Sequence, residues 1–337
     1  MRDRWRNLLI GACVLSFILL LGFFNITKPR ILILHSTSEN SQWALKIDVG
    51  MRETLAKNRR PVTVEWRYMG VTAPADPRRV REAVAEATRA IDQLDPDLII
   101  AVDDEANALV ASQFVGRKSP RILYVSINRP PADYGYPSAP NVSGIAEDPP
   151  WQAMRDAIRT LIPGKAARVA ALGVQTVTGE AELRSLRAFD WGPLTLERTA
   201  LVSTAPEWKS FVSHTDADVL LVLDTQDLPG EGGVLVSAAD LAQWTQEHAK
   251  PLPIGLHTEF VNYGGALAIS PPPDDFGERA IQLALDWLDD RTTPGPPPVL
   301  RSPHFEVAVR QGLIASRGLR LPAIYLEAAR ENGTLIP

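Results

Sequence analysis

The sequence predicts an α/β protein of two doubly wound parallel-sheet lobes with a ligand cleft between them, preceded by an N-terminal transmembrane helix. Three observations carry this. The stretch Asp97–Val110 opens on a wholly apolar run, Leu98-Ile99-Ile100-Ala101-Val102, that stops abruptly at Asp103 and Asp104. Continuous apolar runs of about four to eight residues belong to strands covered on both faces, as in parallel sheets between helix layers. Strand and helix patterns alternate up to residue 128 and start again after a Pro/Gly/Tyr-rich link at 130–140. That alternation argues for parallel, doubly wound sheets. Finally, the apolar runs end in polar turns, and in such open sheets ligands sit outside the carboxyl ends of the strands.

Taken in order, Arg30–His35 is an apolar run ending at Ser36-Thr37-Ser38, and the helix after it carries Trp43, Ile47, Met51 and Leu55 on one stripe. Val62–Tyr68 alternates as a second strand, and a helix over 78–94 buries Val80, Val84, Ala87 and Ile91. The strand at 98–102, a helix over 105–114 and a strand at 121–125 complete the first half. The second half has a helix over 150–161, a strand at 168–172, a helix over 179–189 and a short strand near 194–199. A helix over 207–213 and a strand at 217–223 follow, then a helix over 237–250 and a strand at 253–256. A further strand at 264–269, a helix over 274–288, the proline-rich stretch 294–298, a short strand at 305–309 and a helical tail finish the chain.

The N-terminus sets the compartment. Arg2, Arg4 and Arg6 precede the apolar run Leu8–Phe24. That length sits at the lower edge of what spans a bilayer. It reads as an uncleaved signal anchor over 1–29, with a cleaved signal and lipidation at Cys13 as alternatives. The arginines stay cytoplasmic, which puts everything after Lys28 outside. The rest of the chain has 31 basic and 39 acidic residues, a net charge of −8. Without a basic run, it is a poor partner for nucleic acid. The single cysteine, Cys13, leaves the folded part without a disulfide or a cysteine-based zinc site.

The strand-end polar residues are the candidate ligand contacts: Ser36, Thr37, Ser38, Asp103, Asp104, Ser126, Asn128, Gln175, Thr176, Asp224, Thr225, His257 and Glu259. Glu105 and the aromatic Trp43 join them. The plainer alternative for Ser38, Asp104 and Thr178 is helix capping, in which a side-chain oxygen accepts a free backbone N–H. For Trp43 it is a place in the core. Asp103, Asp104, Glu105, Asp224 and Glu259 together would make an acidic cleft that favours an amine. No GxSxG, HExxH, P-loop or strand-following GxGxxG is present, so no enzyme, cofactor or metal is expected, with a hydrolytic enzyme using the carboxylates at 103–105 as a remote alternative. His257-Thr258-Glu259 lacks the second histidine nearby that a metal site needs.

Residues 30–330 resemble the ABC-transporter substrate-binding proteins of the type I periplasmic fold. The resemblance rests on Tyr263-Gly264-Gly265-Ala266-Leu267, on Asp274–Leu288, on the proline linker, on Phe305–Val309 and on Gly318–Pro322. The crossover Asn141-Val142-Ser143-Gly144-Ile145 matches as well. Ile31–Trp43 and Asp97–Leu109 look like the branch found as extracytoplasmic sensor domains of bacterial signalling proteins. That branch tends to carry paired aspartates where amino-acid-binding relatives have small or hydroxylated residues. The resemblance implies one lobe of 30–142 plus 264–302 and another of 143–263 plus 303–337. It implies hinges near Asn141–Gly144, Asn262–Gly264 and Ser302–Phe305, and capture by lobe closure. The ligand would be an amino acid, an amine or a similar small molecule. The partner would be a permease or a membrane signalling protein, and the place the periplasmic side of a bacterial inner membrane.

Overall fold

In the computed structural model, residues 28–71, 76–163, 166–290 and 295–337 are described, with a few positions between 10 and 22. The expected anchor over 1–29 falls largely outside them. Among the described residues no helix is long and apolar enough to cross a membrane.

The chain divides into two compact units. One holds the residues through Val125, Pro131–Gly144 and Gly277–Val299; the other holds Ser126–Pro130, Ile145–Phe276 and Leu300–Pro337. The first half contains β1 (Arg30–His35), α1 (Gln42–Lys57), β2 (Thr63–Tyr68), α2 (Pro77–Leu94), β3 (Leu98–Val102), α3 (Asp104–Leu109), β4 (Arg121–Val125) and β5 (Val142–Ala146). Next come α4 (Trp151–Leu161), β6 (Arg168–Val174), α5 (Val177–Ala188), β7 (Thr195–Val202), α6 (Ala205–Ser213) and β8 (Val219–Val222). Then follow β9 (Leu228–Pro229), β10 (Leu235–Val236), α7 (Ala238–His248), β11 (Leu252–Gly255), α8 (Glu259–Asn262), β12 (Leu267–Ser270) and α9 (Pro273–Asp289). The chain closes with β13 (Leu300–Arg301), β14 (Glu306–Arg310), α10 (Gln311–Ser316), α11 (Ala323–Glu331) and β15 (Leu335–Ile336).

Six strands in the order β13-β5-β4-β3-β1-β2 form one sheet, and seven in the order β15-β14-β12-β11-β8-β6-β7 form another. In the first, β1 pairs in parallel with β2 and β3, and β3 with β4. The second is parallel except where β14 runs antiparallel to β12. Strand β12 belongs to this second sheet, paired with β11. Residues 264–276, expected with the first lobe, are therefore built into the second. The crossovers fall at 276–277 and 299–300 rather than near Asn262–Gly264 and Ser302–Phe305.

Alternation along the strands gives the second sheet a core on each face. Val169 and Ala171 of β6 and Val219 and Leu221 of β8 pack with Trp151, Met154, Leu183 and Leu186 from α4 and α5. Their neighbours Ala170, Leu172, Leu220 and Val222 pack with Trp208, Phe211 and Leu241 from α6 and α7. This period of two places helices on both sides of the sheet. Helix starts follow capping chemistry. Asp76 accepts from the Arg78 N–H just before Pro77, and Thr204 and Glu207 form a reciprocal capping box.

In the first unit, Gly277 marks a close approach of α9 to α1. A Cβ there would lie 2.0 Å from the Ile47 carbonyl oxygen and 2.9 Å from the Met51 nitrogen. Gly to Ala inside a helix normally gains about 0.5–1 kcal/mol. Here two backbones would have to part, at a cost of about 2–3 kcal/mol. Gly277→Ala is thus expected to lower the urea midpoint with the m-value unchanged, and a midpoint that rose would refute the close packing.

Candidate functional site

The carboxyl edge of the second sheet gathers several of the residues singled out in the sequence. Thr176, two residues beyond β6, caps α5 by accepting the Gly179 N–H at 2.9 Å, and it donates its hydroxyl to Asp224 Oδ2 at 2.5 Å. It holds the cap expected of Thr178. Asp224 follows β8, and His257 follows β11 by the same margin. Glu182, on α5, ties these turns together. Its Oε2 accepts the Asp224 backbone N–H at 2.7 Å, and its Oε1 lies 2.5 Å from His257 Nε2. Glu182 is buried on the stripe of Gly179, Leu183 and Leu186, which otherwise faces the core. Sequence reasoning passed over it, although a lone carboxylate on an apolar helix stripe was the available signal.

The electrostatics follow from this packing. Burial works against a charged His257, but the Glu182 carboxylate outweighs it, with Glu259 and Asp224 adding, and the imidazole is pushed up to about 10. Asp224 is pushed up to about 6, by burial first and by Glu182 second, against the hydrogen bond from Thr176. A cavity of about 320 Å³ opens beside this cluster, and among its lining residues are Asn128, Asp148, Glu182, Arg184, Ser185 and His257. Asn128 and His257 were expected contacts; Asp148, Arg184 and Ser185 were not. Among the described residues no three His, Cys, Asp or Glu side chains stand where they could share a metal ion.

Other candidates are placed differently. Gln175 is exposed, donates to Glu180 at 2.5 Å and lines a separate hollow beside β7. Thr225 and Glu259 are half-buried at the ends of β8 and β11, and Asn262 and Gly264 lie within the second unit. On the first sheet, Ser36 is fully buried, donates to the Val102 carbonyl at 2.9 Å and accepts the Ala106 N–H at 2.8 Å. It anchors α3 internally. Asp104 is buried and accepts from the Tyr134 hydroxyl, while Asn107 accepts from Tyr136 at 2.6 Å. Asp104 is thus neither a cap nor an open carboxylate: it pins the 131–134 turn. Ser41 holds the N-cap position of α1 without a side-chain cap bond, and Ser38 is exposed in the loop before it. Thr37 and Glu105 are half-buried, and Trp43 is half-buried on α1 rather than in the core.

Asp103 takes φ 67° and ψ 173°. That region is ordinarily left to glycine and costs about 1–3 kcal/mol for other residues. Ser126, after β4, is buried with φ 53°. Asn141 is fully used within its own unit, donating to the carbonyls of Phe114 and Pro120 and accepting the Gly116 N–H. Gly144 is kept small by the Tyr124 ring, which a Cβ there would meet at 2.3 Å.

No protein-family model matches the sequence, and no curated protein matches it. Solved structures do. The chain is similar to an ABC domain in complex with L-Trp from Streptococcus pneumonia, at 17% identity and a TM-score of 0.61, covering 92% of this chain and 100% of that one. It is similar to the ligand-free, open form of a substrate-binding protein with adhesive properties from Clostridium difficile. There the identity is 15% and the TM-score 0.63, over 88% of this chain and 96% of that one. A fructose-binding periplasmic domain of a hybrid two-component system matches at 15% identity and a TM-score of 0.52, over 90% and 96%. The fold is that of the type I periplasmic binding proteins.

Proposed function

We propose that this chain is an extracytoplasmic solute-binding protein that captures a small polar ligand and presents it to an ABC-transporter permease. The observation that carries the reading is the polar cavity between the carboxyl end of β11 and helix α5, in a chain with the periplasmic-binding-protein fold. Support comes from the neighbours, whose names speak of L-Trp, of fructose and of substrate binding. Capture works by closure of the two units about the crossovers, with the ligand favouring the closed form. Thr37, Ser38, Trp43, Asp103 and Glu105 in the first unit, and Ser126, Thr225 and Glu259 in the second, are further candidate contacts of their own units in this reading. In this reading it binds and does not catalyse, in keeping with neighbours whose names are those of binding proteins. The run Leu8–Phe24 tethers it to a bacterial inner membrane, with the folded part in the periplasm. Apolar side chains of that run, Val14, Phe17 and Leu19 among them, are exposed.

The test is thermal unfolding of the full chain against amino acids, amines, organic acids and sugars. A true ligand at about a hundred times its Kd stabilises by about 2.7 kcal/mol. A comprehensive library that leaves the Tm unmoved would count heavily against the proposal. A second reading, a sensor that passes closure to a separate kinase or cyclase, is favoured by the likeness to the two-component domain. Genes for a permease beside this one favour transport, and genes for a two-component system favour sensing.

A further inference from the structure

We propose that the His257 pocket selects an anionic group, a carboxylate or comparable oxyanion, held between His257 Nδ1–H and the guanidinium of Arg184. The inference rests on the solute-binding reading and names its ligand class.

The argument is one of matched and unmatched charges. Every carboxylate at this pocket already has a partner. Glu182 uses one oxygen on His257 Nε2 and the other on the Asp224 N–H. Asp148 pairs with Arg301, and Glu147 is also engaged. Asp224, behind the pocket wall, accepts from Thr176 and Gln226. The cations are not matched in the same way. His257 bonds through Nε2 alone, and its side chain keeps 20% exposure on the pocket wall. Arg184 lies exposed on α5 and lines the same cavity. Among the described residues it makes no ion pair or hydrogen bond.

The groups facing His257 are Glu182 from α5, Asp224 after β8 and Glu259 at the start of α8, and together they hold it as imidazolium. Its second N–H is therefore a charged donor, with a second charged donor nearby on Arg184. An amine entering here would have to displace His257 or Arg301 from a carboxylate. An oxyanion meets free N–H donors and displaces only water, and charge-assisted bonds of this kind are the strong ones. Of the carboxylates that suggested an amine in the sequence, Asp224, the one nearest this pocket, is already hydrogen-bonded within the protein.

Three four-carbon probes separate the possibilities: succinate, butane-1,4-diol and putrescine, titrated into the full chain by calorimetry. Succinate is expected to bind, and the neutral and cationic probes to bind far more weakly. His257→Gln and Arg184→Gln are each expected to weaken succinate about ten- to a hundredfold. Arg184 is exposed, so its variant keeps the test alive if His257→Gln folds poorly. Succinate affinity should hold at neutral pH and fall as pH rises through about 10, where His257 loses its proton. Putrescine or the diol binding as tightly as succinate would overturn the inference and leave solute binding standing. So would succinate binding that is indifferent to both substitutions, or no binding by any of the three. Only the library without a single hit removes the solute-binding reading as well.

Discussion

Glu182→Ala is expected to lower stability by about 3 kcal/mol, because removing one member of a buried pair strands the other. His257 would keep its buried position without its nearest counter-charge, and the Asp224 N–H would lose its acceptor. Part of the loss is recovered, since Asp224 no longer feels the Glu182 charge that helps push it up to about 6. The effect carries a pH signature. His257 is raised from 6.5 to about 10, so its contribution is fully present below about pH 6.5 and is lost as pH rises through about 10. The gap between wild type and Glu182→Ala should therefore narrow in alkali. Urea unfolding at neutral and alkaline pH reads this directly, and a gap that widened with pH would refute the pairing. Glu182→Gln keeps an acceptor and should cost less.

Asp48→Ala should be at least as damaging, at about 3–5 kcal/mol, and in the other unit. Asp48 is the shared acceptor of a buried network. His35 Nε2 lies 3.0 Å from Oδ1, Trp66 Nε1 donates to the same oxygen at 3.2 Å, and the Tyr68 hydroxyl donates to Oδ2. The His35 and Tyr68 rings stack at 5.0 Å. Each buried donor left without its acceptor costs about 1–3 kcal/mol. Burial pushes the Asp48 carboxyl up, but the hydrogen bonds from His35 and Tyr68 outweigh it and hold it below the usual 3.8. Its stabilisation is thus present above about pH 4 and is lost as pH falls through the depressed value. Tyr68 is pushed up to about 12 by burial and by Asp48, so its share survives until strong alkali. Differential scanning calorimetry of Asp48→Ala and Asp48→Asn should place the asparagine between wild type and alanine. An alanine variant as stable as wild type would show that the network contributes nothing.

Most strands were legible because a doubly covered strand needs an unbroken apolar run, and 98–102, 122–125 and 219–222 each have one. The partners of a strand were not. β12 carries an apolar run that suits either sheet, and nothing local in Glu306–Arg310 says that β14 must run antiparallel to it. The site divides along similar lines. His257, Asp224, Thr176 and Asn128 stand out because polar residues cluster where strands end. Position alone does not distinguish a ligand contact from an internal anchor, and Ser36 and Asp104 both make internal hydrogen bonds, as does the expected hinge residue Asn141. Glu182 and Arg184 sit inside a helix, where strand-end reasoning does not look. Burial decides the use of one, and the lack of a partner decides the use of the other.

The two cores of the second sheet have a consequence for how the cavity can change while the fold persists. Helix α5, which carries Glu182 and Arg184, rests on the layer fed by Val169, Ala171, Val219 and Leu221. The interleaved residues Ala170, Leu172, Leu220 and Val222 feed the opposite layer. A methyl group gained or lost at odd positions of β6 therefore tilts the helix that sets the pocket, while the same change at even positions is absorbed under α6 and α7. One strand thus serves two separate layers, one beneath the helix that lines the cavity and one beneath α6 and α7 alone.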